Sequence, residues 1–157
     1  MIKVFYIKFY FIFISDRKQA EEALRQSEQK FRAIFDGTFG FIGLLNTEGI
    51  VIEANRAALD AIDAELADVV GQPFWQTPWW THSPQLQALL QQAIMRAAAG
   101  ELVRFEAEHI LANGSSIFVD FSLKPVVDET GKVVMLIPEG RDISDRKRGE
   151  AERKQAE

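Results

Sequence analysis

The chain has 157 residues, a formal net charge of −5 and no cysteine. That length suits one domain with flanks, large enough to bury roughly two thirds of its unfolded surface. An acidic balance with no Lys/Arg-rich patch outside the helical flanks argues against nucleic-acid binding; the missing thiols exclude disulfides, thiolate metal sites and cysteine-linked chromophores, and fit a cytoplasmic protein.

Met1 to Ile14 is almost wholly aromatic or β-branched, broken by Lys3 and Lys8. It is shorter than the roughly 20 residues of a spanning helix and lacks the small-residue cleavage site of a secretory signal. Ile14-Ser-Asp-Arg-Lys18 returns 129 positions later as Ile143-Ser-Asp-Arg-Lys147, and Arg17-Lys-Gln-Ala-Glu21 returns as Arg153-Lys-Gln-Ala-Glu157. A period that long is a domain period, so the chain reads as one module of a tandem array. By the same offset, residues 1–14 stand where a preceding module's last strand belongs, as an apolar remnant of it. The other reading is a membrane-proximal anchor.

From Asp16 to Asp36 the less polar positions are Ala20, Leu24, Ser27, Phe31 and Ile34, spaced four, three, four and three. This heptad seam predicts an amphipathic linker helix over 15–36. Its partner is a second protomer, with Ala20, Leu24, Ser27 and Phe31 as the dimer seam, or the domain's own surface.

Phe39 to Leu45 and Ile50 to Asn55 are β-prone runs joined by Asn46-Thr-Glu-Gly49, which predicts a hairpin. Asn55 is a favoured N-cap for the short helix that follows. Between Ala61 and Thr81, Gly71, Pro73 and Pro78 break any long helix and leave short turns. Ser83-Pro84 opens the clearest helix, with Leu86, Leu89, Leu90, Ile94, Ala97 and Ala98 at helical spacing until Gly100. Three strands follow, 102–111, 117–126 and 133 to 137 or slightly beyond, joined by Asn113-Gly114 and Asp128 to Gly131. The order predicts an α+β domain: a five-stranded antiparallel sheet with helices on one face and a linker helix at each end.

This order and several motifs resemble the PAS domain, a bacterial sensory module, over nearly all of Ser27 to Lys147. Ser27 to Phe35 resembles the family's amino-terminal cap, Ile52-Glu-Ala-Asn55 its strand-to-helix step, and Gly71-Gln-Pro-Phe-Trp75 its Gly-x-x-aromatic step. Gly140-Arg-Asp-Ile-Ser-Asp-Arg-Lys147 is similar to the Asp-Ile-Thr motif that closes these domains, with Ser144 in place of Thr. The resemblance implies a sensory domain over 37–143, the start of a signalling helix over 144–157, and a histidine kinase or diguanylate cyclase effector. Asp142, Ile143, Ser144 and Asp145 are then the signal-transmission residues. The carboxylate or hydroxyl can cap the outgoing helix, and Ile143 can anchor the junction to the core. Capping and packing alone would explain them equally.

Trp75, Trp79 and Trp80 either line a pocket able to stack on a flat ligand or simply fill the core. His109 alternates with Val103, Phe105, Ala107 and Leu111, which points it inward if that face is buried. Leu90 and Phe121 complete the expected lining. His82 and His109, the only histidines, lack a carboxylate spacing suited to metal, so no metal site is expected. Haem-binding members of the family usually take a histidine from the long helix; residues 84–99 contain none. No cofactor is required, and a noncovalent flavin needs no cysteine. Gly37-Thr-Phe-Gly40 offers no phosphate loop and the acidic residues form no acid/base pair, so the chain is not expected to be catalytic.

Three functions remain open on the sequence. One is a small-molecule sensor whose ligand sits between the long helix and the sheet. The second is a ligandless dimerisation and spacer module. The third is a piece of a sensor kinase or cyclase.

Overall fold

Every backbone N–H and C=O needs a partner, and an apolar segment finds partners within itself only by coiling. The computed structural model describes residues 2–157 and shows the consequence at once: α1 runs unbroken from Ile2 to Gly37. Residues 2–14, expected as a strand remnant, are therefore helical and continuous with the linker; Met1 of that remnant lies outside the described residues. Their aromatic and β-branched composition favours strands, but a lone strand has no ladder to satisfy it. Their side chains are exposed, as in Phe5, Tyr6, Phe9 and Phe13, and so are Ala20, Leu24, Ser27 and Phe31 of the seam. Among the described residues no helix is long and apolar enough to cross a membrane.

The chain through Gly37 is one compact unit and Thr38 to Glu157 is another. The second unit holds β1 (Phe41–Leu45), β2 (Val51–Ala54), α2 (Arg56–Ala61), α3 (Leu66–Val69), a 3-10 turn at Phe74–Gln76 and α4 (Pro84–Ala98). It continues with β3 (Val103–Ile110), β4 (Ser116–Val127), β5 (Val133–Asp142) and α5 (Ser144–Ala156). The strands pair antiparallel in the order β2-β1-β5-β4-β3. The sheet is the predicted one, with β5 longer than its apolar core because Glu139, Arg141 and Asp142 keep pairing with β4 through Ser122, Asp120 and Val119.

Local chemistry places the elements. Gly49 ends the first turn at φ +86°, and a Cβ there would lie 2.9 Å from Ile94 Cδ1, so both conformation and space demand glycine. Asn55 Oδ1 accepts from Ala58 N and caps α2, and Ser83 Oγ accepts from Leu86 N and caps α4, with Pro84 at the first helical position.

Strand alternation sorts the side chains. Val103, Ala107, Val119, Phe121 and Leu123 face inward, whereas Arg104, Glu106, Glu108 and Lys124 face out. Leu90, Ala93, Ile94 and Ala97 form the buried stripe of α4 and join the same core. Leu45, Leu90, Leu123 and Leu136 are at most 1 % exposed, and each contributes about 2 kcal/mol of burial.

A candidate ligand cavity behind Trp79 and Trp80

Small residues leave space where large ones would fill it. Gly43 of β1, Ala54 of β2, Ala58 and Ala61 of α2 and Gly140 of β5 converge on one side of the inner sheet face and bound a cavity of about 60 Å³. Phe41, Ile62, Phe74, Ile117, Val119, Phe121 and Pro138 supply its apolar walls, and Glu53 and His109 add polar groups. At Gly140 a Cβ would come within 2.9 Å of Val119 Cγ1, so the strands approach closely there and no side chain occupies that part of the wall.

Of the eight residues expected to line a pocket, Trp79, Trp80, His109 and Phe121 do so. The other four belong to the surrounding packing. Leu90 and Ala107 are buried core residues. Phe105 packs on Trp80 and Phe121. Trp75 lies over the first hairpin turn, its ring against the position of Gly49. The cavity therefore does not lie under α4, where the sequence predicts it: among the described residues no member of α4 lines it. The Leu/Ala/Ile stripe of α4 closes tightly on the sheet, and the gap forms beside the alanines of α2 instead. That cluster of small residues is the signal in the sequence that marks where the cavity lies.

Two indoles meet the cavity in different states. Trp79 Nε1 donates to the Ala58 carbonyl at 2.8 Å, which ties the 74–80 segment to α2. Trp80 is 1 % exposed and held edge-on among Phe74, Phe105, Phe121 and His109, yet its Nε1 has no acceptor among the described residues.

His109 is positioned by its Nδ1, which donates to the Trp79 carbonyl at 2.7 Å. Burial pushes its pKa below the ordinary histidine value; the Trp79 carbonyl opposes that shift and the nearby His82 adds to it. His82, exposed beside His109, donates through Nε2 to the Glu108 carbonyl. Among the described residues no group of three His, Asp or Glu side chains can hold a metal.

The exit from the sheet is built from named bonds. Ile143 is 8 % exposed and its N–H donates to the Phe118 carbonyl at 2.8 Å. Ser144 Oγ accepts from Phe118 N at 3.0 Å, and Asp142 Oδ1 accepts from Ser144 N at 2.9 Å. The carboxylate thus satisfies the first amide of α5, just before the Ile143 N-cap, while the hydroxyl ties the helix to β4, a division of labour between the two oxygens. Asp145 points away and pairs with Arg148. Further along α5, Lys147 and Arg146 reach Glu106 at 2.5 and 2.6 Å, and Lys147 first and then Arg146 hold that carboxyl below its usual range. Beside it Arg104 grips Asp120 through two N–H groups and lowers that carboxyl as well.

A five-stranded antiparallel sheet in the order 2-1-5-4-3, helices on its inner face, an apolar cavity and a strand-to-helix exit define the architecture of an α+β domain of the PAS type. The chain belongs to the PAS fold family, which matches residues 35–148. It is 40 % identical over 136 residues to the sensor histidine kinase TmoS of Ectopseudomonas mendocina, spanning 85 % of this chain and 14 % of that protein. It is 32 % identical over 132 residues to hybrid signal transduction histidine kinase D of Dictyostelium discoideum, spanning 83 % and 8 %. Among solved structures, the PAS domain of an HTR-like protein from Haloarcula marismortui superposes with a TM-score of 0.64 at 20 % identity, over 80 % of this chain and 99 % of that one. The chain thus spans a small fraction of the kinases it matches.

Proposed function

We propose that this domain senses a small molecule in the cavity behind Trp79 and Trp80 and passes the result through its flanking helices to a histidine kinase module of the whole protein. The cavity carries the reading. A domain built only to pack would close that space, and a buried indole N–H without an acceptor costs roughly 1–3 kcal/mol that a ligand can restore. Occupancy would bias the sheet, and β4 and β5 lead directly to the Phe118–Ser144 junction at the start of α5. The two relatives named above are histidine kinases, which favours a kinase over a cyclase as effector. Catalysis belongs to that effector, and the domain needs no cofactor of its own. Haem and flavin are each far larger than the cavity.

In the same reading the domain works as a homodimer in the cytoplasm, joined through Ala20, Leu24, Ser27 and Phe31 of α1. Leu24 and Phe31 are 61 % and 43 % exposed, which leaves an apolar seam for a second protomer. Native mass spectrometry with an absorption spectrum tests the proposal. A stoichiometric small compound on the gently purified chain, lost in Ala58→Phe with the fold intact, is the expected result. A bare chain that takes up no compound favours the second reading, a ligandless spacer; the edge-on packing of Phe74, Trp80 and Phe121 supports that alternative.

A further inference from the structure

Among the described residues, the buried Trp80 indole is a donor without an acceptor. Indole N–H groups that are buried almost always find an acceptor, as the neighbouring Trp79 does at Ala58 O. Trp80 cannot turn to find one, because Phe74, Phe105, Phe121 and His109 pack against it edge-on from several directions.

Resting on the sensor reading above, the geometry points to an uncharged, compact, mainly apolar ligand bearing a carbonyl-type acceptor that takes the Trp80 N–H. Each part of that description excludes a class. A hydrocarbon fills the apolar wall and leaves the donor unsatisfied. An ammonium compound offers only donors and leaves it unsatisfied too. A carboxylate or phosphate would meet the Glu53 side chain on the wall and no cation, since among the described residues the cavity lining contains neither Lys nor Arg. His109 is no substitute, because its burial favours the neutral ring. Size completes the description: an engineered apolar cavity of about 150 Å³ holds benzene, so about 60 Å³ calls for a molecule smaller than benzene.

Acetone and 2-methylpropene share a shape and differ in C=O against C=CH₂, which isolates the acceptor. Each is titrated into the full chain and followed by the amides of Ile62 and Val119 and by the tryptophan indole N–H signals, with Trp80→Phe identifying the Trp80 signal. The expected result is a downfield shift of the Trp80 indole proton with the ketone alone. The ketone-to-alkene preference should also fall about tenfold in Trp80→Phe. The wild-type shift stands without the variant should it misfold, because the signal is also assignable through its contacts to Phe74 and Phe121. If the preference survives Trp80→Phe and the indole proton stays still, the ligand class is wrong while the sensor reading stands. A charged or acceptor-free compound that copurifies would overturn the ligand class in the same way. If neither probe binds and nothing copurifies, both fall.

Discussion

Arg146 on α5 donates to Glu106 on β3 at 2.6 Å, so the outgoing helix is held to a strand that carries His109 of the cavity three positions further on. The ion pair lies on the solvent face of β3 and His109 on the inner face, because successive residues alternate. Under the proposed sensor reading, a shift of β3 would displace His109 and the Glu106 end of this link together. Glu106→Gln weakens the hold of Arg146 and Lys147 together. Amide hydrogen exchange along 146–153 should quicken several-fold while the sheet amides of β4 keep their protection. Unchanged exchange in α5 would show that the pair does not restrain the helix.

Asp142→Ala removes the acceptor for Ser144 N, at a cost of about 1 kcal/mol by analogy with lost helix caps. In a full-length kinase the ligand response should change by more than that loss explains. Gln92→Gly, on the exposed side of α4 and expected to cost a similar amount away from the exit, is the comparison. Equal responses from the two variants would reduce Asp142 to a cap.

Asn55 is fully buried, and its side chain accepts from Ile42 N and Ala58 N and donates to the Gly40 carbonyl at 2.8 Å. Cap preference alone ranks Asp equal to Asn. Here Asp would set a carboxylate oxygen against Gly40 O, so Asn55→Asp should destabilise by about 2–4 kcal/mol, close to Asn55→Ala. Urea unfolding checks this, and a near-neutral Asn55→Asp would mean the Gly40 bond counts for little.

The lowered pKa of His109 makes stability depend on pH. The unfolded chain takes up a proton as pH falls through about 6.5, while the folded chain resists protonation at His109. Stability from this source is complete above the unfolded pKa and is lost below it, by at most about 1.4 kcal/mol per pH unit. Urea midpoints at pH 7.5 and 5.5 should differ more for the wild type than for His109→Gln. Parallel curves would place the imidazole in contact with water.

Leu24→Glu with Phe31→Glu puts four carboxylates on a paired seam. Sedimentation equilibrium should show the dimer lost, with the circular dichroism of the sheet domain unchanged. A persistent dimer would move the interface away from α1.

Structure is legible in the sequence where a few adjacent residues hold the whole cause. Asn55 and Ser83 cap because their own oxygens meet amides three residues on, and Gly49 turns because it lacks a Cβ. The exit motif is readable as a strand-to-helix boundary, although which oxygen caps and which cross-links depends on the position of Phe118, 26 residues from Ser144. Residues 2–14 mislead because strand propensity says nothing about whether a pairing partner exists.

By itself, then, the sequence determined the elements beyond residue 14, their order and the PAS fold, since periodicity, caps and turns are local or act through one buried face. Only the tertiary structure decided where the cavity lies. Gly43, Ala58 and Gly140 come from three separate elements and make space only when the sheet and α2 bring them together. It likewise decided that Trp79 finds its acceptor at Ala58 while Trp80, one residue later, has none among the described residues: burial and the reach of a partner belong to the packed chain.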